Sequence, residues 1–171
     1  MASTCPEIDI LVNNAGTAST QPQPLGSVNP EEYDWIFNLN TRGLFFTSQE
    51  ALKSIRDGGR IVNISSVASR LTAPGRSVYA GTKAAIEAFT RNWAAELGSR
   101  GITVNCVSPG AVETERLKEN FTPEMREMFI KMTPLRRIAE PEDIADVVVF
   151  LCSEEGRWLT AQNLIASGGL G

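Results

Sequence analysis

Tyr79 and Lys83 stand four residues apart in the stretch Tyr79-Ala80-Gly81-Thr82-Lys83. On a helix that spacing stacks a phenol and an ammonium on one face, about one turn apart. A free tyrosine titrates near pH ~10, so it serves as acid or base near neutrality only with a positive neighbour, and Lys83 is placed to be one. Ser66 precedes Tyr79 by thirteen residues and follows an apolar run. Its hydroxyl can hydrogen-bond a substrate oxygen there, or simply cap the loop it opens. The chain contains no histidine, which removes Ser-His-Asp and Cys-His triads, histidine zinc sites and imidazole acid–base chemistry together. No metal site is expected, and proton transfer falls to groups such as Tyr79.

The elements that must position these residues alternate between strand and helix. Ile8 to Asn13 reads as a short strand buried on both faces. A polar loop follows, and Asn29-Pro30-Glu31-Glu32 is a helix start. From there Tyr33, Ile36, Phe37, Asn40, Gly43, Leu44, Thr47 and Ala51 recur at helical spacing to about Arg56, where Asp57-Gly58-Gly59 is expected to stop the helix. Arg60 to Ile64 is a second buried strand, Val78 to Leu97 a long helix and Ile102 to Val107 a third strand. Pro123 to Lys131 and Pro141 to Cys152 read as helices, and Asn163 to Ala166 as a last strand. This alternation predicts an α/β fold with a parallel sheet, about four strands flanked by helices. The polar ends of three strands, at Asn13-Asn14-Ala15-Gly16, Ser65-Ser66 and Ser108-Pro109-Gly110, then converge at the carboxyl edge, where open α/β sheets bind ligands. Asn40 is an amide within an apolar helix face, a placement that costs helix propensity unless a partner bonds to it.

The 171 residues carry 16 basic and 20 acidic side chains, a net charge of −4. One domain of that size buries a real core, and mild acidity offers nucleic acid or an anionic membrane surface nothing to hold. No apolar run approaches membrane-spanning length. Cys5, Cys106 and Cys152 are odd in number and far apart, so they read as reduced packing residues in a cytoplasmic setting.

The order Asn13-Asn14-Ala15-Gly16, Asn40-Thr41-Arg42-Gly43, Ile64-Ser65-Ser66, Tyr79 through Lys83, Asn105 through Gly110 with Thr114, and Asp143-Ile144-Ala145 closely resembles the short-chain dehydrogenase/reductases in motif and spacing. The resemblance runs from about Ile8 to Gly169. It implies a Rossmann-like fold and an oxidoreductase that acts on a carbonyl or alcohol with NAD or NADP. Under it, Tyr79 protonates the carbonyl oxygen, Ser66 holds that oxygen, Lys83 lowers the tyrosine pKa and holds the nicotinamide ribose, and Asn40 anchors a water that links Lys83 to solvent. Asn14, Ala15 and Gly16 lie toward the adenosine side, while Pro109, Gly110, Val112 and Thr114 line the nicotinamide and its phosphates. Leu117, Phe121, Met125, Phe129 and Met132 fall in the family's substrate loop and are expected to form an apolar lid.

The family grips its dinucleotide with a glycine-rich turn after its first strand, and no such segment stands in these 171 residues. The strand at Ile8 looks like the family's fourth. The expectation is therefore a single partial domain over residues 1–171, short by three strands or roughly 80 to 90 residues, with impaired cofactor binding or none. Three readings stay open: a reductase, a cofactor-independent acid–base enzyme (isomerase, dehydratase or cyclase) reusing Ser66, Tyr79 and Lys83, and a non-catalytic subunit or fragment. An uncovered apolar edge at Ile8 to Asn13 suggests self-association or a companion chain supplying strands. The helices around Asn40 and after Val78 match the family's usual oligomer face. At the end, Thr160-Ala161-Gln162 and Ser167-Gly168-Gly169 stand where the family usually has Thr-Gly-Gln and Asp-Gly-Gly, which puts the local turn in question.

Overall fold

The computed structural model describes residues 7–170. Four parallel strands, β1 (Ile8–Asn13), β2 (Ile55–Ile64), β3 (Thr103–Pro109) and β4 (Asn163–Ala166), lie side by side in sequence order. The alternation read from the sequence is thus a Rossmann-like parallel sheet. Successive side chains on a strand point to opposite faces, and β2 shows it: Ile61 packs with Val104 and Ala94, whereas Val62 packs with Val107 and Leu151. The first face is covered by α3 (Ser77–Leu97) and the second by α6 (Pro141–Cys152).

Between β1 and β2 the chain forms α1 (Pro30–Phe37) and α2 (Leu44–Ala51), joined by a wide π-helical turn over Asn38–Gly43. The side chain of Asn29 caps α1 by accepting from Glu31 N at 2.8 Å, and Pro30 occupies the first turn, where its missing N–H costs nothing. The buried positions are Ile36, Asn40, Thr41, Leu44 and Ser48, so Thr47, expected to face inward, is exposed instead. The helix also ends at Ala51 rather than Arg56. Asp57-Gly58-Gly59 does not stop it; these residues lie inside β2 as a bulge, where Ile8 pairs Ile55 and Ile10 already pairs Arg60. Gly58 adopts φ +77°, a backbone angle that L side chains rarely take.

β1 departs from the expected double burial. Asn13 is buried, but Ile10 and Val12 are 45% and 41% exposed, because α6 packs on β2, β3 and β4 and leaves that face of β1 uncovered. Among the described residues β1 pairs with β2 alone. Its buried end is held by polar bonds. Asn13 Nδ2 donates to Ser48 Oγ and to Asn63 Oδ1, both at 2.8 Å, and Asn63 Nδ2 donates to Thr90 Oγ1 at 2.9 Å. The row runs across β1, α2, β2 and α3, and each amide buried in it is satisfied by a neighbour.

Candidate active site

The carboxyl ends of β1, β2 and β3 open into one groove of about 670 Å3. Asn14 and Gly16 line it from β1, Ser66 from β2, and Pro109, Gly110, Val112 and Thr114 from β3. Tyr79 and Lys83 reach into it from α3. Ala15 is exposed outside the groove, and Asn40 is fully buried behind it. Next to the groove lies a second cavity of about 420 Å3, walled by Leu71, Leu117, Phe121, Met125 and Phe129. Phe121 and Phe129 stack at 5.0 Å between ring centroids. Met132, expected in this lid, is not among its lining and stands 52% exposed. The lid itself is two helices, α4 (Glu115–Asn120) and α5 (Pro123–Met132), where the sequence suggested one. Ser66 and Tyr79 line both spaces and so stand at their junction.

Ser66 fills the capping role that the sequence offered. Its backbone is extended and its Oγ accepts from Ala68 N at 3.2 Å, capping the short turn Val67–Ser69. The same hydroxyl faces the Tyr79 phenol closely enough to favour its anion. Burial nevertheless dominates and pushes the Tyr79 phenol above its ordinary value; Ser66, then Arg116 and Arg76, pull it part of the way back. The sequence reading had Lys83 supplying that charge. Instead the Lys83 ammonium donates to Ile64 O at 2.8 Å, with its nitrogen 5.7 Å from the centre of the Tyr79 ring. Desolvation lowers Lys83 to about 8, so it is readily deprotonated for a lysine.

Asn40 explains the wide turn in the α1–α2 helix. Its Oδ1 accepts from Thr17 N and its Nδ2 donates to Thr17 O, each at 2.7 Å, and Nδ2 also reaches Thr82 Oγ1 at 3.0 Å. The amide thus ties the loop after β1 to α3. Gly16 passes so close that a Cβ there would sit 3.3 Å from Lys83 Nζ and 3.4 Å from Asn40 Oδ1. The loop is gripped from its other side by Arg116, which donates to Thr17 Oγ1 at 2.5 Å and to Ala18 O, and by Arg76, which donates to Ser19 O at 2.6 Å. Beneath Ser66 the buried Glu87 carboxylate gathers Ser65 Oγ at 3.2 Å, Ser69 Oγ and the Arg70 guanidinium. Arg76, Arg116, Thr17 and Glu87 were missed in the sequence. The one legible signal was position: Arg76 stands a helical turn before Tyr79, and Glu87 a turn after Lys83.

Comparison with known proteins agrees with this geometry. The sequence profile of the family described as Enoyl-(Acyl carrier protein) reductase matches residues 1–171. The chain belongs to the short-chain dehydrogenase/reductase family. It is 41% identical over 175 residues to the hydroxynaphthalene reductase-like protein Arp2 of Metarhizium brunneum, covering 95% of this chain and 65% of that relative. It is 39% identical to the tetrahydroxynaphthalene reductase PfmaG of Pestalotiopsis fici, covering 62% of it. Among solved structures, the angucycline C-6 ketoreductase LanV with bound NADP superposes with a TM-score of 0.89 at 40% identity, over 96% of this chain and 63% of that one. The chain therefore spans just under two thirds of the length of these relatives.

One departure from the usual short-chain dehydrogenase/reductase pattern keeps its local geometry, and one matching motif has a plain structural role. At Thr160-Ala161-Gln162 the turn is kept, with Ala161 held at φ +60°, where a glycine is at ease. Asp143 of the Asp143-Ile144-Ala145 motif is a helix cap: its side chain accepts from Glu140 N at 2.8 Å, and two bonds from Arg137 hold its carboxyl at about 2. Among the described residues no cluster of Cys, Asp or Glu is arranged to hold a metal ion. No described helix is long and apolar enough to cross a membrane.

The groove suits one end of a dinucleotide. Asn14, Thr114 and the Lys83 ammonium offer polar contacts beside the apolar Val12, Ile64 and Val112, a mixture that matches a ribose next to a flat ring. Gly16 leaves room beside the Lys83 ammonium, and Gly110 packs tightly against Ser167.

Proposed function

We propose that these residues form the proton-transfer and substrate-binding part of a nicotinamide-dependent reductase acting on a fused-ring aromatic ketone. The observation that carries this reading is the placing of Tyr79 and Ser66 together at the junction of a polar groove holding Lys83 and a cavity walled by phenylalanine and leucine. The named relatives reduce or resemble reductases of hydroxynaphthalenes and an angucycline, which favours a flat, apolar substrate. The reduced cofactor, NADH or NADPH, would supply the hydride when bound. Ser66 holds the carbonyl oxygen, and the Tyr79 hydroxyl gives it a proton. Keto group, hydride and proton together make the alcohol. Lys83, with donors left beyond the one on Ile64 O, holds the ribose and returns the proton to Tyr79. Asn40 acts on this set by fixing the Thr17 loop.

Affinity for the dinucleotide is the sharpest question. Among the described residues no glycine-rich turn leads from a strand into a helix N-terminus, the arrangement that binds a pyrophosphate. Contacts worth even about 5 kcal/mol change affinity by several orders of magnitude, so the 171-residue chain alone is expected to bind NADPH and NADH weakly. A companion segment pairing with β1 restores that affinity in this reading. The chain also self-associates through the α1–α2 and α3 face, where Trp35, Leu39 and Phe46 are exposed. The reduced thiols of Cys106 and Cys152 fit a cytoplasmic setting; Cys5 lies outside the described residues.

Calorimetric titration with NADPH and NADH, followed by cofactor oxidation with 1-tetralone as substrate, tests the proposal. Turnover that disappears in Tyr79→Phe supports it. Turnover unchanged by that substitution overturns it. Cofactor-independent conversion of the ketone, lost in the same variant, moves the assignment to acid–base catalysis.

A further inference from the structure

We infer that the substrate carries a carboxylate, and that Arg76 and Arg116 bind it. The inference rests on the reading of the apolar cavity as the ketone's site and names a feature of the ketone. Both arginines line that cavity, and both stand close enough to the Tyr79 hydroxyl to act on it by charge. Two cations in a mostly hydrophobic cavity invite an acidic oxygen. The ion pairs of the described residues include neither of them: Arg70 has Glu87, Arg126 has Glu113 and Arg137 has Asp143. Their partners are instead three neutral oxygens on consecutive residues, Thr17 Oγ1, Ala18 O and Ser19 O. Two guanidiniums carry ten N–H groups between them, so most of the donors are still available to a ligand. The bonds to the loop also hold each planar fork in place before a ligand arrives, which lowers the ordering cost of binding.

The two sites divide the substrate. The ketone points to Ser66 and Tyr79, the ring system lies against Phe121, Phe129 and Leu117, and the acidic group sits at the rim between α3 and α4. Arg116 belongs to α4, so a carboxylate there also ties the lid helix to the base of α3. Alanine or a neutral polar residue at 76 or 116 leaves the aromatic walls intact, so in binding, as distinct from turnover, the loss falls on the charged ketone.

The test compares 1-tetralone with the same ketone bearing a carboxylate on the aromatic ring away from the carbonyl. Binding is followed by quenching of the chain's own tryptophan fluorescence, with no cofactor present. The carboxylate compound is expected to bind at least tenfold more tightly than the neutral one, and the advantage shrinks toward unity in the Arg76→Gln, Arg116→Gln double variant and at high salt. The salt series uses the unaltered chain, so it reads the same charge dependence if the double variant misfolds. Equal binding of the two ketones to the unaltered chain overturns the inference. A preference confined to Arg116 and abolished by inorganic pyrophosphate also overturns it, by assigning that guanidinium to the dinucleotide's phosphates. Because binding is read without turnover, a carboxylate preference here together with no reduction of either ketone in the cofactor-oxidation assay refutes the hydride reaction alone.

Discussion

Asn40 and Thr17 form a closed pair: the side-chain amide of one exchanges two 2.7 Å hydrogen bonds with the backbone N–H and C=O of the other. A loop whose own backbone is completed by a buried side chain has lost its choice of conformation. Replacing Asn40 with alanine strands both Thr17 groups and frees Thr82, and each unmet buried group costs about 1 to 3 kcal/mol. Asn40→Ala is expected to lower stability by about 3 kcal/mol in urea unfolding and to depress turnover more than tenfold. Asn40→Asp keeps one bond and places a carboxylate near Lys83, so it falls between the two.

Lys83 makes stability rise with pH in a narrow window. Its folded value of about 8 lies below the ordinary 10.5, so the unfolded chain holds more protons between those values and unfolding becomes harder as pH increases. Above pH 9 the Cys106 thiol, which burial pushes up to about 11 from 9.0, works in the opposite direction, because the unfolded thiol ionises first. Above pH 10 the raised Tyr79 phenol adds to it. The rise is therefore confined to pH 8 to 9, at about 1 kcal/mol. Lys83→Met removes it and stabilises the chain at neutral pH by about 2 to 3 kcal/mol while ending catalysis; denaturant midpoints across the pH series check both.

Glu87 is a buried carboxylate with Ser65, Ser69 and Arg70 gathered on it. Glu87→Ala leaves those donors facing an apolar hole and is expected to cost about 3 kcal/mol. It also releases the turn Val67–Ser69 that Ser66 caps. Glu87→Gln keeps the shape and most of the acceptors. Recovery of turnover with Gln, without full recovery of thermal stability, assigns Glu87 to positioning Ser66.

Ala161 is strained without reward on its own account. An L residue in the left-handed region costs about 1 to 2 kcal/mol, and its N–H donates to Val104 O at 2.8 Å in a turn that positions β4. Ala161→Gly is expected to raise the unfolding free energy by about 1 kcal/mol with cofactor and substrate binding unchanged.

The sequence showed the strands, the long helix α3 and the helix face that joins Tyr79 to Lys83, because each rests on local pattern. Periodicity exposed Ile61, Val62 and Val104 as core, and Gly-Pro punctuation marked the loops. What stayed hidden depends on partners distant in the chain. Nothing around residue 116 tells that its side chain reaches Thr17, about a hundred positions earlier. The burial that raises Tyr79 and lowers Lys83 comes from packing, so spacing alone overstated the part of the ammonium and understated Ser66, Arg116 and Arg76. The end of α2 was misplaced because Asp57-Gly58-Gly59 looks like a helix stop and serves instead as a bulge within a pairing strand.

The π turn over Asn38–Gly43 sets the phase of everything after it. Ile36, Asn40, Leu44 and Ser48 recur every four residues, whereas a regular α-helix drifts by about 40° at each such step. One widened coil cancels that drift, so α1 and α2 present a single straight seam and keep Asn40 aimed at residue 17. Forcing ordinary winding through the same residues would let three such steps drift by about 120° in all between Ile36 and Ser48, turning Ser48 away from Asn13. The segment works as a vernier, where one inserted position keeps two halves of a helix in step.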